Sequence, residues 1–343
     1  MAGAHPRAVI FGVAGPTLTK RERHFFTDVD PLGFILFARN CLDPTSTREL
    51  VADLRESVGR SDALVLIDQE GGRVQRLKPP FWRAAPAAAA FGRLAAMDAA
   101  NAVEAVWLNS RLLAADLIAL GIDVDCAPVL DVRQPEGHDV IGDRAFANQP
   151  EPVALLGCAS CAGFLAGGVL PVIKHIPGHG RATLDSHEAL PVVNTALEDL
   201  RRVDFAPFAA LANMPMAMTA HVIYDAIDPA APATTSARVI REAIRSAIGF
   251  EGLLISDDLC MRALSGRAGD RASAAIAAGC DVTLHCNGDF GEMREIAAVC
   301  PTLSPETVRR LARAQSMRAK AEPFDREWAQ QRLAVLLGAQ VGA

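Results

Sequence analysis

The residues able to do chemistry cluster in a few short stretches. The longest is Pro177-Gly-His179-Gly-Arg-Ala-Thr-Leu-Asp185-Ser-His187. Asp185 and His187 stand two residues apart, which lets the carboxylate reach the imidazole. Such a pairing fixes the ring tautomer and raises its basicity, the usual support for a general acid/base histidine. The glycines of this stretch predict a mobile loop that can close over a bound substrate. A second group is Ser256-Asp257-Asp258-Leu259, directly after the apolar run Leu253-Leu-Ile255. Adjacent residues of an extended chain point to opposite sides, so one carboxylate faces a site while its neighbour makes a supporting contact.

Further groups are Asp68-Gln-Glu-Gly-Gly-Arg-Val-Gln-Arg76, Asp131, Ile141-Gly-Asp-Arg144-Ala-Phe146, Lys174-His175 and His221. Each has a bland reading. Asp68 can cap a turn, Gly71-Gly72 can make one, and Lys174 can be the structural partner of a buried aspartate. His179 and His221 can be satisfied core histidines. Together they read differently, because each group follows a buried apolar run. Unpaired, such ionisable groups would cost several kcal/mol each. A mutually paired site accounts for them better than coincidence.

The elements that must position them are eight apolar runs: Ala8–Ala14, Gly33–Ala38, Ala63–Ile67, Ile122–Val129, Val169–Ile173, Pro215–Ala220, Gly252–Ile255 and Cys280–His285. They lack polar/apolar alternation, so they read as strands buried on both faces. Helical stretches lie between most of them. They include 101–120, ended by Gly121, and Leu197–Leu211, Ala237–Ile248 and Arg267–Ala278. Repeated β–α alternation predicts an α/β fold, a single (β/α)8 barrel, with a doubly wound open sheet as the runner-up. A barrel brings all the polar groups to the C-terminal ends of its strands. After it come helices from Pro305 to about Lys320, with Ser304 as N-cap, and over Phe324–Leu337. Residues 1–343 therefore read as one catalytic domain, in which about 301–343 are appended helices sealing the barrel.

Composition narrows the function classes. Thirty-four basic against 40 acidic residues give a net charge of −6, and half the chain is apolar, the balance of a compact soluble protein. Without basic blocks, and with one Tyr and three Trp, no nucleic-acid or membrane surface is expected. No apolar run approaches the ~18 residues that span a bilayer. Ala8–Gly15 lacks the flanks of a signal peptide and reads as the first strand. Eight scattered cysteines read as buried thiols of a reducing, cytoplasmic compartment. Cys158-Ala-Ser-Cys161 has no second pair to complete a zinc site.

The motifs KHIPGHG followed by DSH, with DQEGGRVQR, IGDRAF and ISDDL, resemble family 3 glycoside hydrolases. The closer resemblance is to the bacterial cytoplasmic β-N-acetylglucosaminidases (β-hexosaminidases) of peptidoglycan recycling. GFILFARN (33–40) and the Cys280–Asn287 segment fit that group too, so the resemblance spans residues 33 to about 290. It implies that Asp257 is the nucleophile and His187 the acid/base with Asp185 as partner, while Asp68, Arg76, Arg144, Lys174 and His175 bind the sugar. The sequence departs from the group at Ile176, where Phe is common, and at Cys260, where Ser is usual.

The implied reaction is retaining removal of terminal β-GlcNAc from peptidoglycan fragments, GlcNAc-1,6-anhydro-MurNAc with or without peptide. It would pass through a covalent glycosyl-enzyme, with no cofactor and no metal. The expected partner is the small sugar substrate alone, bound by a monomer or weak homodimer. Phosphorolysis of β-N-acetylglucosaminides, or another family 3 β-glycosidase activity, stays open, because a histidine tolerates incoming phosphate better than a glutamate. A metal-dependent hydrolase using His175, His179, His187 and His221 lacks an H-x-H or H-E-x-x-H pair. A non-catalytic sugar-binding barrel would have no reason to keep both the dyad and a nucleophile.

Overall fold

The computed structural model describes residues 5–338, apart from His187, Ala319 and Glu322. Eight parallel strands form a closed barrel: β1 (Arg7–Gly12), β2 (Pro31–Leu36), β3 (Leu64–Ile67), β4 (Val124–Asp125), β5 (Leu170–Ile176), β6 (Met216–Thr219), β7 (Leu253–Asp258) and β8 (Val282–His285). Their order around the barrel follows the chain, and β1 closes on β8 through Ile10 opposite Leu284. The architecture is the (β/α)8 barrel rather than the open sheet.

The unbroken apolar strands have a period of two in what they touch. Ile10, Leu64, Leu66, Leu170, Val172, Met216, Met218, Leu253, Ile255, Val282 and Leu284 join one buried cluster drawn from all the strands, the barrel interior. Their neighbours Val9, Val65, Ile67, Ile173, Ala217 and Leu254 join a second cluster shared with the surrounding helices. Both faces are dry, which is why the sequence shows no alternation.

Three elements differ from the sequence expectation, one of them Ala237–Ile248, which is α-helical over Ala237–Val239 and continues as a π-helix over Ile240–Ala247. The fourth run is paired as a strand only over Val124–Asp125, and Pro128 further along it has no N–H to give the ladder. Pairing resumes at Val129 beside Lys174. The stretch 197–211 is a π-helix (Leu200–Asp204) between short helical pieces, the second (Ala206–Ala210) carrying Pro207 in its first turn, which cannot donate to the preceding turn.

The helix Pro305–Met317, capped by Ser304, contributes Ala314 to the interior cluster, with Val308 and Leu311 packed against it. It closes the end of the barrel opposite the polar groups. Arg310 binds Asp281 at 2.7 Å and Arg318 binds Asp123 at 2.6 Å, both aspartates at strand N-termini. The helix Arg326–Gly338 lies along Ala99–Ala119, joined by the paired contacts of Arg332 with Glu104. No helix among the described residues is long and apolar enough to cross a membrane. All eight cysteines are free thiols; Cys158 is exposed and Cys161 buried.

Candidate active site

The polar groups meet at the C-terminal mouth of the barrel, in a pocket lined by Asp68, Glu70, Arg76, Arg144, Lys174, His175, His179, Asp185 and Asp257. Apolar side chains of Phe37, Met218 and Leu284 complete it. Seven of the eight site residues expected from sequence are thus brought together. The eighth, His187, lies outside the described residues.

Past β3 the chain folds back as a small hairpin, Gln69–Gly71 against Val74–Gln75. Its turn uses Gly71 at φ 100° and Gly72 at φ 57°, and a Cβ on Gly71 would fall 2.3 Å from the Pro86 carbonyl oxygen. Only glycine fits that geometry. The hairpin returns Arg76 to Asp68 (Nη2 to Oδ2 3.0 Å) and aims Glu70 at the barrel axis. The Gln69 side-chain oxygen accepts from the N–H groups of Arg76 and Leu77, locking the return.

Lys174, near the end of β5, donates to Asp68 Oδ1 at 2.8 Å and lies 2.7 Å from Glu70 Oε1. Arg144, on the turn Gly142–Arg144, grips Glu70 with two N–H groups at 2.9 and 2.8 Å. This fork is the strong geometry for a guanidinium and a carboxylate. Burial would push Glu70 up, but Arg144 and Lys174 hold it well below the usual carboxylate range. Asp68 is likewise held down against its burial by Lys174 and Arg76. Burial alone would lower Lys174, yet the two carboxylates raise it. Three cations and two anions thus form one chain of contacts.

Asp131 organises a second set. Its carboxylate accepts from His175 Nδ1 at 2.7 Å and from the His179 backbone N–H at 2.7 Å. A carboxylate at Nδ1 places the proton there and leaves Nε2 as the other working nitrogen of His175. His179 is neutral: burial pulls it down to about 4, and its Nε2 lies 3.2 Å from the Ser186 hydroxyl.

On both sides of His179 the loop is tied to its surroundings. Tyr224 donates to the Gly178 carbonyl at 2.6 Å, and Arg181 binds Asp204 at 2.7 Å. A Cβ on Gly180 would lie 2.0 Å from the Val132 carbonyl oxygen, so this glycine serves a close backbone contact. Asp185 lines the pocket, and its carbonyl accepts from the N–H groups of Glu188 and Ala189.

Asp257 and Asp258 end β7 and divide their work as their alternation predicts. Asp258 accepts from the N–H groups of Cys260 (3.0 Å) and Cys286 (3.1 Å), holding two loops together. Its own N–H donates to Asp257 Oδ1 at 2.8 Å. Burial would raise the Asp257 carboxyl, but His221, His175, this N–H and Lys174 together hold it below the usual range. Asp257 is therefore an ionised carboxylate in the pocket. His221 donates from Nε2 to the Asp258 carbonyl (2.9 Å) and accepts at Nδ1 from Thr234 (2.7 Å). Its structural reading is sufficient.

Sequence reasoning gave no role to Glu70 or Asp131. A usable signal existed for Glu70: Arg76, Arg144 and Lys174 outnumber Asp68 alone, and buried cations require counter-charges. Beneath them Asp125 is buried with Oδ2 unpartnered and Oδ1 accepting from the Gln69 N–H; burial pushes its carboxyl up to about 8.

Residues 16–316 match the glycosyl hydrolase family 3 N-terminal domain. A β-hexosaminidase of Pseudomonas aeruginosa is 41% identical over 295 residues, covering 85% of this chain and 86% of that protein. A β-hexosaminidase of Methylococcus capsulatus is 40% identical over 308 residues, 88% of this chain and 90% of that one. Among solved structures, NagZ from Neisseria gonorrhoeae in complex with N-trifluoroacetyl-D-glucosamine superposes with a TM-score of 0.87 at 32% identity, covering 98% of this chain and 100% of that one.

Proposed function

The chain belongs to glycosyl hydrolase family 3, and from that premise we propose that it is a retaining exo-β-N-acetylglucosaminidase using Asp257 as nucleophile. Its family and its β-hexosaminidase relatives make it a glycoside hydrolase acting on β-N-acetylhexosaminides. The substrate proposed is GlcNAc-1,6-anhydro-MurNAc, with or without peptide, and the setting is cytoplasmic recycling of peptidoglycan. The observation that carries the mechanism is the Asp257 carboxylate, held ionised in a pocket where three cations meet two other carboxylates and its own N–H contact and neighbouring histidines favour the charged form.

In this reading Asp257 attacks the anomeric carbon as the glycosidic bond breaks, giving a covalent glycosyl-enzyme. His187, oriented by Asp185, protonates the leaving oxygen and then deprotonates the incoming water. Water attacks the same carbon from the opposite face, so the product keeps the β configuration. An ionised nucleophile is available at once, because the groups around it disfavour protonation.

The paired ions serve the sugar. Lys174 donates to Asp68 and lies 2.7 Å from Glu70, and an ammonium with three N–H groups keeps donor capacity for a sugar hydroxyl. Asp68 keeps acceptor capacity beyond its two cation contacts, and His175 presents Nε2. Arg144 and Arg76 hold the two carboxylates in place and border the pocket themselves. Such fixed charges favour the developing oxocarbenium ion without reorganising.

The test is product analysis on GlcNAc-1,6-anhydro-MurNAc-peptide with and without phosphate. Free GlcNAc formed first as the β anomer, at a rate independent of phosphate, is the expected result. GlcNAc-1-phosphate would instead identify a phosphorylase, and a first-formed α anomer would remove Asp257 from the nucleophile role.

A further inference from the structure

Beside the pocket, and sharing no side chain with it, three metal-ligand types converge. Cys260 Sγ, a ring nitrogen of His285 and a carboxylate oxygen of Glu292 all lie within 4.8 Å of one another. They come from the turn after β7, the last residue of β8 and the first turn of the helix Phe290–Val299. None of the three lines the sugar pocket. We propose that this trio is a binding site for a divalent cation of the zinc class, separate from the catalytic centre.

The donor set fits that ion. Zinc is a borderline-soft cation bound by thiolate, imidazole and carboxylate, and three protein ligands plus a water complete its tetrahedron. Donors about 2.0–2.3 Å from such an ion stand roughly 3.3–3.8 Å apart. The widest pair in this trio therefore closes by no more than about 1–1.5 Å, within reach of the part-exposed Glu292 side chain.

Its surroundings are those of a built site. His285 is buried, and its Nε2 stands 3.0 Å from Glu292 Oε2. Asn287 donates to the same carboxylate oxygen at 2.7 Å, which fixes the carboxylate from outside as supporting residues of metal sites do. The other ring nitrogen of His285 is buried with no hydrogen-bond partner. Burial and the neighbouring Asp258 carboxylate push the Cys260 thiol up, against the smaller opposing pull of the Asn287 and Cys286 backbone N–H groups, so a bound ion must itself displace the thiol proton. Glu292 and Cys260 are each partly exposed, which gives an ion its entry. On binding, the thiol proton leaves to solvent as the sulfur–metal bond forms, so charge and atoms balance.

Cobalt(II) is the probe, added to the EDTA-treated, full-length protein and followed by absorption spectroscopy. One equivalent should produce the near-ultraviolet band of thiolate-to-cobalt charge transfer with visible bands of tetrahedral intensity, and Zn²⁺ should displace it. Cys260→Ser should abolish the charge-transfer band, and Glu292→Gln, which keeps the fold's contacts nearly isosteric, should weaken Zn²⁺ binding at least ~10-fold. Asp257→Asn and Cys158→Ser should leave the band unchanged, setting the site apart from the sugar pocket and from the exposed thiol. No thiolate band at saturating cobalt in the wild type overturns the proposal, as does a band that survives Cys260→Ser.

Discussion

Lys174 lies 2.7 Å from Glu70, a carboxylate that Arg144 grips from the other side with both arms of its fork. The same ammonium holds Asp68, which in turn holds Arg76. Removing any one member leaves a neighbour charged and buried, so the network constrains itself. The two readings of Lys174 available from sequence, structural ion pair and sugar contact, are compatible: the first sets the geometry that the second uses.

Lys174→Ala should therefore lower kcat/KM by about 30- to 1,000-fold, or 2–4 kcal/mol, by exposing two carboxylates to each other and removing a hydroxyl donor. Adding Glu70→Gln should restore part of the lost stability but not the activity, a coupling that a double-mutant cycle measures. Normal kinetics with a lowered Tm in the single variant would leave only the structural role.

The aspartate pair separates chemistry from support. Asp257→Ala should keep its fold and lower turnover by several orders of magnitude, since no neighbouring group forms the covalent intermediate. Asp258→Ala should instead cost about 1–3 kcal/mol of stability, because two part-buried N–H groups lose their acceptor. Thermal unfolding and steady-state rates distinguish them, and a slow 2-fluoro glycoside should label the peptide containing Ile255–Leu259. Labelling elsewhere, or more than roughly a tenth of wild-type turnover in Asp257→Ala, would move the nucleophile.

Much of this was legible in the residue order. Strands buried on both faces must be apolar throughout, so β1, β3 and β8 stand out as runs bounded by polar residues. The groups after them had only one place to go in a closed barrel. Glu70 was not legible in the same way: beside Gly71 it reads as a turn residue, and its partner Arg144 lies 74 positions away. Asp131 stood out as a polar group after its strand, but nothing local ties it to His175 and His179. The glycines of the 177–187 stretch suggested mobility, yet Gly180 is required by a backbone contact with Val132. Sequence shows that a glycine is present, not whether it grants freedom or space.

Asp125 should make stability depend on pH. Its carboxyl titrates near ~3.9 when unfolded and is pushed to about 8 by burial in the fold. Between those values the folded state keeps a proton that the unfolded state releases, so stability falls as pH rises and the loss is complete above the folded value. Asp125→Asn, which mimics the protonated acid, should remove this component. Its stability change from pH 5 to pH 9 should be smaller than that of the wild type by an amount on the order of a few kcal/mol. Denaturant unfolding at the two pH values measures it, and parallel changes in both proteins would assign Asp125 an ordinary titration.

The acid/base role tests the remaining pair. If His187 protonates the leaving oxygen, His187→Ala should slow glycosides with poor leaving groups far more than activated aryl glycosides, whose phenolates depart without a proton. Hydrolysis of the glycosyl-enzyme still needs a base, so that step should become limiting and a burst of phenolate should appear. Asp185→Ala keeps the imidazole but removes its orienting carboxylate, so the same pattern should follow in milder form. It should also displace the limb of the pH–rate profile that reports the histidine. Equal losses on natural and activated substrates in both variants, without a burst, would mean that this loop only positions the sugar. The proton would then come from another group at the pocket, with His175 and His179 the first to examine.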